Sequence, residues 1–121
     1  TGEGAHQLTA QEIATMMRHN LKPVIFVINN GGYTVERILC DNINYKYNEI
    51  SSWNYSMLPY IFEGNCFSLK VKTNAELHEA LKIVQEKQKD KLCYIEVITN
   101  PYDIPKNSHT FVKHPGQLKG F

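Results

Sequence analysis

The sequence predicts an α/β fold, a parallel sheet flanked by helices, and three observations predict it. Val24-Ile25-Phe26-Val27-Ile28 is a continuous apolar, β-branched run, the kind that suits a strand covered on both faces. Phe67-Ser68-Leu69-Lys70-Val71 and Leu92-Cys93-Tyr94-Ile95-Glu96-Val97-Ile98 read as two further strands. Thr9-Ala10-Gln11-Glu12 and Thr73-Asn74-Ala75-Glu76 are capping-box patterns that open helices ahead of the first and third strands. Strands that alternate with helical segments argue for parallel pairing.

Taken in order, the chain begins with Gly2 and Gly4 around Glu3, and glycine tolerates backbone angles that other residues avoid. Leu8, Ile13, Met16, Met17 and Leu21 then recur at roughly helical spacing, predicting a helix over 9–20. Arg18 and His19 suit its negative end, and Asn20 and Pro23 stop it. The first strand is expected at 24–29, ending in Asn29-Asn30 before Gly31-Gly32. Residues 40–62 are irregular and aromatic-rich, with a short helix expected around Met57 and Leu58. Their aromatics fit either a satellite core cluster, the slightly favoured reading, or an interface. The second strand is expected at 66–71, a helix at 74–89 and the third strand at 92–98. Glu96 is expected to be paired at a strand end or rim. Pro101, Pro105 and Pro115 discourage long helices beyond Asn100. Residues 1–105 are taken as the folded part and 106–121 as a poorly structured tail, where His109 and His114 lack a third ligand at suitable spacing.

A length of 121 residues allows one domain at most, and a hydrophobic content of 42% is enough for its core. A net charge of +1 gives no basis for a nucleic-acid or membrane partner. There is no apolar run of about 18 residues and no signal-peptide pattern. Cys40, Cys66 and Cys93 are odd in number and lack Cys-x-x-Cys spacing, so they read as free thiols in a reducing compartment, the cytoplasm.

The chemistry gathers at the two glycine-rich stretches. A carboxylate in a glycine turn and an amide at a strand end suit one Mg²⁺, which needs only one or two carboxylates besides phosphate and water oxygens. Turn glycines also let a phosphate approach the backbone. Ligands in open α/β sheets collect at the carboxyl ends of strands, where Asn30 falls. Each residue also has a plainer reading. Glu3 alone is an exposed turn carboxylate, Asn29-Asn30 are turn formers, and Glu36 is a solvated helix residue paired with Arg37 or a neighbour.

Gly2-Glu3-Gly4, then 24 residues, then Asn29-Asn30 resembles the thiamine diphosphate signature, normally Gly-Asp-Gly followed by Asn-Asn. Gly32-Tyr33-Thr34-Val35-Glu36 resembles, more narrowly, the 2-oxo acid decarboxylases. Gln7-Leu8-Thr9, Leu21-Lys22-Pro23, Tyr47-Asn48-Glu49-Ile50 and Trp53-Asn54-Tyr55-Ser56 fit the same pattern. The likeness is dense to about residue 62, looser over 66–105 and faint beyond.

The resemblance implies the C-terminal part of a thiamine diphosphate-binding domain, with Mg²⁺ and thiamine diphosphate as cofactors. It implies Glu3 and Asn30 as metal ligands with the Gly32 carbonyl. Gly4 and Ala5 would lie against the diphosphate, with Tyr33, Thr34 and Val35 lining the cofactor. Glu36 would be the catalytic acid beside the reacting carbon. The implied reaction converts a 2-oxo acid to an aldehyde and CO₂. A homotetramer, a dimer of dimers, is implied as the assembly. Glu3 stands where such families have Asp, and Ala5 where many have Ser. A glycine turn of this type normally follows a strand and nothing precedes Thr1, so a C-terminal piece of a longer protein, inactive alone, is expected. The cofactor-activating glutamate and an active-site histidine pair would then lie upstream. The alternatives are another thiamine diphosphate enzyme, a carboligase or acetolactate-type synthase, and a non-catalytic interaction module with a decayed site.

Overall fold

The computed structural model describes residues 1–104 apart from 41 and 43. Three parallel strands form one sheet: β1 (Val24–Asn29), β2 (Cys66–Val71) and β3 (Leu92–Ile98), in the order β1-β3-β2. The register aligns Val27 and Lys70 with Glu96 on either side of β3. Among the described residues five α-helices accompany them, α1 (Glu3–Thr9), α2 (Glu12–Arg18), α3 (Thr34–Leu39), α4 (Leu58–Ile61) and α5 (Asn74–Lys87), with single 3-10 turns at Lys46–Asn48 and Tyr55–Met57. The boundary at 105/106 and the tail with its two histidines lie outside the described residues.

The strand period of two divides the core. Ile25, Val27, Leu92 and Tyr94 pack on one face with Ile13 and Met16 of α2, Tyr55 and Leu58. Val24, Phe26, Cys93 and Ile95 pack on the other with Leu77, Ala80 and Val84 of α5. The central strand β3 is sealed from Leu92 to Glu96. β1 is covered on both faces as expected, but less completely than β3, and Ile28 is exposed, because only Thr1–Gly2 run beside its outer edge.

The expected helix over 9–20 is instead two short helices. Ala10 and Gln11 keep helical angles, and the bonds there tighten to Ile13 N–H with Ala10 O and Ala14 N–H with Gln11 O. An N-cap needs an extended backbone, so Thr9, already helical, makes no capping bond. Asn20 ends α2 at φ +53 with Leu21 N–H bonded to Met16 O and Asn20 N–H to Met17 O, a Schellman closure. The second capping box forms as expected, Thr73 and Glu76 each holding the other's backbone N–H.

Candidate metal and cofactor site

Two backbone devices bring Glu3 to the end of β1. Residues 1–2 run parallel to the strand, with Ile28 N–H donating to Thr1 O at 2.9 Å, and Glu3 opens α1 at that edge. After Asn30 the chain reverses through Gly31 and Gly32, at φ +75 and +136, angles that glycine adopts and side-chain-bearing residues rarely do. Gly32 N–H then donates to Glu3 Oε1 at 2.7 Å, and the Glu3 side chain is 2% exposed.

The Asn30 amide completes the arrangement. One end lies 2.9 Å from Gly32 O and 3.2 Å from Glu3 Oε1, and the other lies 2.9 Å from Thr34 Oγ1. Counting protons tells the ends apart. The single Thr34 hydroxyl proton is directed at Pro101 O, 2.7 Å away. Thr34 Oγ1 is then an acceptor and takes the Asn30 NH₂. That leaves the Asn30 oxygen facing the oxygens of Glu3 and Gly32 with no proton between them. Turning the NH₂ toward Glu3 would satisfy those oxygens, but Asn30 and Pro101 would then compete for one Thr34 proton. A cation among the three oxygens removes the conflict. Near-octahedral Mg²⁺ sets neighbouring oxygens about 2.9 Å apart, and the separations here fit. Carboxylate, amide and carbonyl oxygens are the donors that a hard cation takes. A cavity of about 280 Å³ opens beside it, lined by Glu3, Asn29, Gly31, Arg37, Ser51 and Tyr55 among others.

Of the residues singled out in the sequence, the fold brings Glu3, Asn30, Gly32 and Thr34 together. Gly4 faces the ring of Tyr33, where a Cβ would come within 2.5 Å of the ring carbon Cε1. Ala5 is exposed. Val35 and Glu36 lie on the exposed side of α3, and the Glu36 carboxylate makes no hydrogen bond or ion pair among the described residues. Arg37 does not pair with Glu36. It folds under the glycine turn, 8% exposed, and Nη2 donates to Gly31 O at 2.7 Å.

Sequence reasoning missed Arg37, and a charged residue in a short polar helix carries no signal of burial. It also missed Asn48, whose carbonyl accepts Tyr33 N–H at 2.9 Å and faces Gly32 closely. Gln7 was part of the resemblance only; its Nε2 lies 2.6 Å from both Tyr55 Oη and Ser51 O, tying α1 to the aromatic loop. His6 is buried with Nε2 at 2.9 Å from Tyr94 Oη. Burial holds its pKa below the usual histidine range, and burial pushes the Tyr94 phenol up. Glu96 is paired as expected, but not at an exposed rim. It is fully buried on β3, bonded to Asn29, Ser56 and Lys70.

Residues 1–97 match the family described as "Thiamine pyrophosphate enzyme, C-terminal TPP binding domain". Among curated proteins the chain is similar to pyruvate decarboxylase 2 of Nicotiana tabacum and pyruvate decarboxylase 4 of Arabidopsis thaliana, each 45% identical over 108 residues. It is 44% identical over 108 residues to pyruvate decarboxylase 1 of Zea mays. These alignments cover 87% of this chain and 17% of each relative, so the chain spans about a sixth of their length. With the profile matching most of its length, the chain belongs to the thiamine pyrophosphate enzymes and carries their C-terminal TPP-binding domain.

Proposed function

We propose that this chain is the diphosphate- and Mg²⁺-holding part of a 2-oxo acid decarboxylase, which converts a 2-oxo acid to an aldehyde and CO₂. The observation that carries the reading is the meeting of the Glu3, Asn30 and Gly32 oxygens at the carboxyl end of β1. It favours a working site over a decayed one, because a cation leaves neither three facing oxygens nor a Thr34 proton contested by Asn30 and Pro101. The similarity to pyruvate decarboxylases supports the choice of reaction, with pyruvate as the first substrate to test.

Bound thiamine diphosphate supplies the electron sink that loss of CO₂ requires. The chain's own residues do the rest. Glu3, the Asn30 amide oxygen and the Gly32 carbonyl would hold Mg²⁺, which would offset the charge of the diphosphate. The Gly31–Gly32 turn, held by Arg37, fixes the direction of the Gly32 carbonyl. Thr34, bonded to Pro101 O, would hold the Asn30 NH₂ and so keep its oxygen toward a bound metal. Glu36, on the exposed side of α3, would carry the proton delivered to the substrate carbon as aldehyde forms. Glu36→Gln in the full-length protein is expected to lose aldehyde formation from pyruvate while retaining cofactor. Unchanged turnover would remove Glu36 from the mechanism.

A further inference from the structure

The strand period places four polar residues on one sheet face near its carboxyl end: Asn29 of β1, Ser68 and Lys70 of β2, and Glu96 of β3. Glu96 is at their centre. Its Oε1 accepts Asn29 Nδ2 at 2.8 Å, and its Oε2 accepts Ser56 N–H at 3.0 Å and pairs with Lys70 Nζ at 3.2 Å. No atom of Glu96 reaches solvent.

We propose that Glu96 is a positioning residue for the metal site, acting on both of its halves at once. The inference rests on the reading of Glu3, Asn30 and Gly32 as metal ligands. The first half is the strand end. Asn29 is bonded to β3 through its side chain to Glu96 and through its carbonyl to Thr99 N–H at 3.0 Å. Asn30 is the next residue, so the angle at which its amide leaves the sheet follows from how Asn29 is seated. The second half is α1. Ser56 N–H fixes the turn Tyr55–Met57 on Glu96, Tyr55 Oη lies 2.6 Å from Gln7 Nε2, and Gln7 is one helical turn after Glu3. One carboxylate thereby links the strand that ends at Asn30 and the helix that begins at Glu3.

A purely structural role would be served as well by an apolar residue, since buried ion pairs are weak stabilisers beside well-packed hydrocarbon. Here the carboxylate is used for direction: its two oxygens point to two different segments. Outer-shell partners of this kind change metal affinity by about 10- to 100-fold when removed.

The test uses the full-length protein and reads thiamine diphosphate binding by equilibrium dialysis as Mg²⁺ is titrated. Glu96→Leu fills similar space with no acceptor, so it loses the bonds to both Asn29 and Ser56. It is expected to raise the half-saturating Mg²⁺ by about 10- to 100-fold, with binding recovered in excess Mg²⁺. Asn29→Ser, which leaves the Lys70 pair intact, is expected to raise it in the same direction. Lys70→Met strands the buried carboxylate yet keeps both directing bonds, so it is expected to lower the melting temperature and shift the Mg²⁺ requirement less than about threefold. A wild-type Mg²⁺ requirement in folded Glu96→Leu, or in Asn29→Ser should Glu96→Leu not fold, overturns the proposal. So does a Lys70→Met shift as large as that of Glu96→Leu, which would trace the effect to stability alone. Cofactor binding without Mg²⁺ in the wild-type protein would overturn the metal reading itself, and this is seen before any variant is compared.

Discussion

Glu3→Gln separates the charge of the site from its shape. Glutamine keeps the length of the side chain and an oxygen for Gly32 N–H, now 2.7 Å from Glu3 Oε1. Exchanging a charged acceptor for a neutral one weakens that bond by about 1 kcal/mol, so the protein should remain folded. The metal loses far more. Glu3 is the only carboxylate in the proposed ligand set, and it is 2% exposed. Two unit charges 4 Å apart at an effective dielectric of about 20 attract by about 4 kcal/mol, on the order of 1,000-fold in affinity. Ion desolvation and the oxygen that glutamine retains offset part of this, so the expected loss lies between about tenfold and about 1,000-fold. The assay is the Mg²⁺ concentration for half-maximal thiamine diphosphate binding by the full-length variant, with circular dichroism to check folding. A folded variant whose Mg²⁺ requirement rises by less than about tenfold would refute the reasoning, because the carboxylate would then not be touching the metal.

Gly32→Ala should be among the most damaging small changes: its Cβ would lie 2.4 Å from Asn48 O at φ +136, and strain plus overpacking predict a loss of about 3 kcal/mol in chemical denaturation. Near-wild-type stability would mean that the turn can open. Thr73→Ala removes the side-chain half of a formed capping box and should cost about 1 kcal/mol, read as a lower melting temperature with no change in Mg²⁺ requirement. His6 titrates below its unfolded value, so the folded protein binds fewer protons than the unfolded one as pH falls. Its stability contribution is complete above about pH 6.5 and is lost as pH drops through the lowered folded value. Melting temperature should therefore fall with pH from about 7 to 5.5, and His6→Gln should flatten that slope; an equal slope in the variant would contradict the assignment.

Much of the fold was legible because it is local. The strand bounds 24–29, 66–71 and 92–98 are those of the structure, since apolar β-branched runs with breakers on either side leave little choice. The α5 capping box works because Thr73 is extended. The matching pattern at Thr9–Glu12 fails because α1 has already begun, and the pattern cannot report that. The candidate site was proposed through the resemblance and not through spacing: nothing in the 28 residues between them says that Glu3 and Gly32 meet. Arg37 escaped for the same reason, since a charged residue looks solvated until its partners are known. Glu96 was expected to be paired, but its full burial and its partners Asn29 and Lys70 follow only from the register of three strands far apart in sequence.

The most direct measurement is CO₂ and aldehyde release by the full-length protein, with and without thiamine diphosphate and Mg²⁺, across pyruvate, indolepyruvate, phenylpyruvate and branched-chain 2-oxo acids. The account predicts equal amounts of CO₂ and aldehyde from at least one of them, only when both cofactors are present. No release from any of them by folded, cofactor-loaded protein, or acyloin as the sole product, would contradict it.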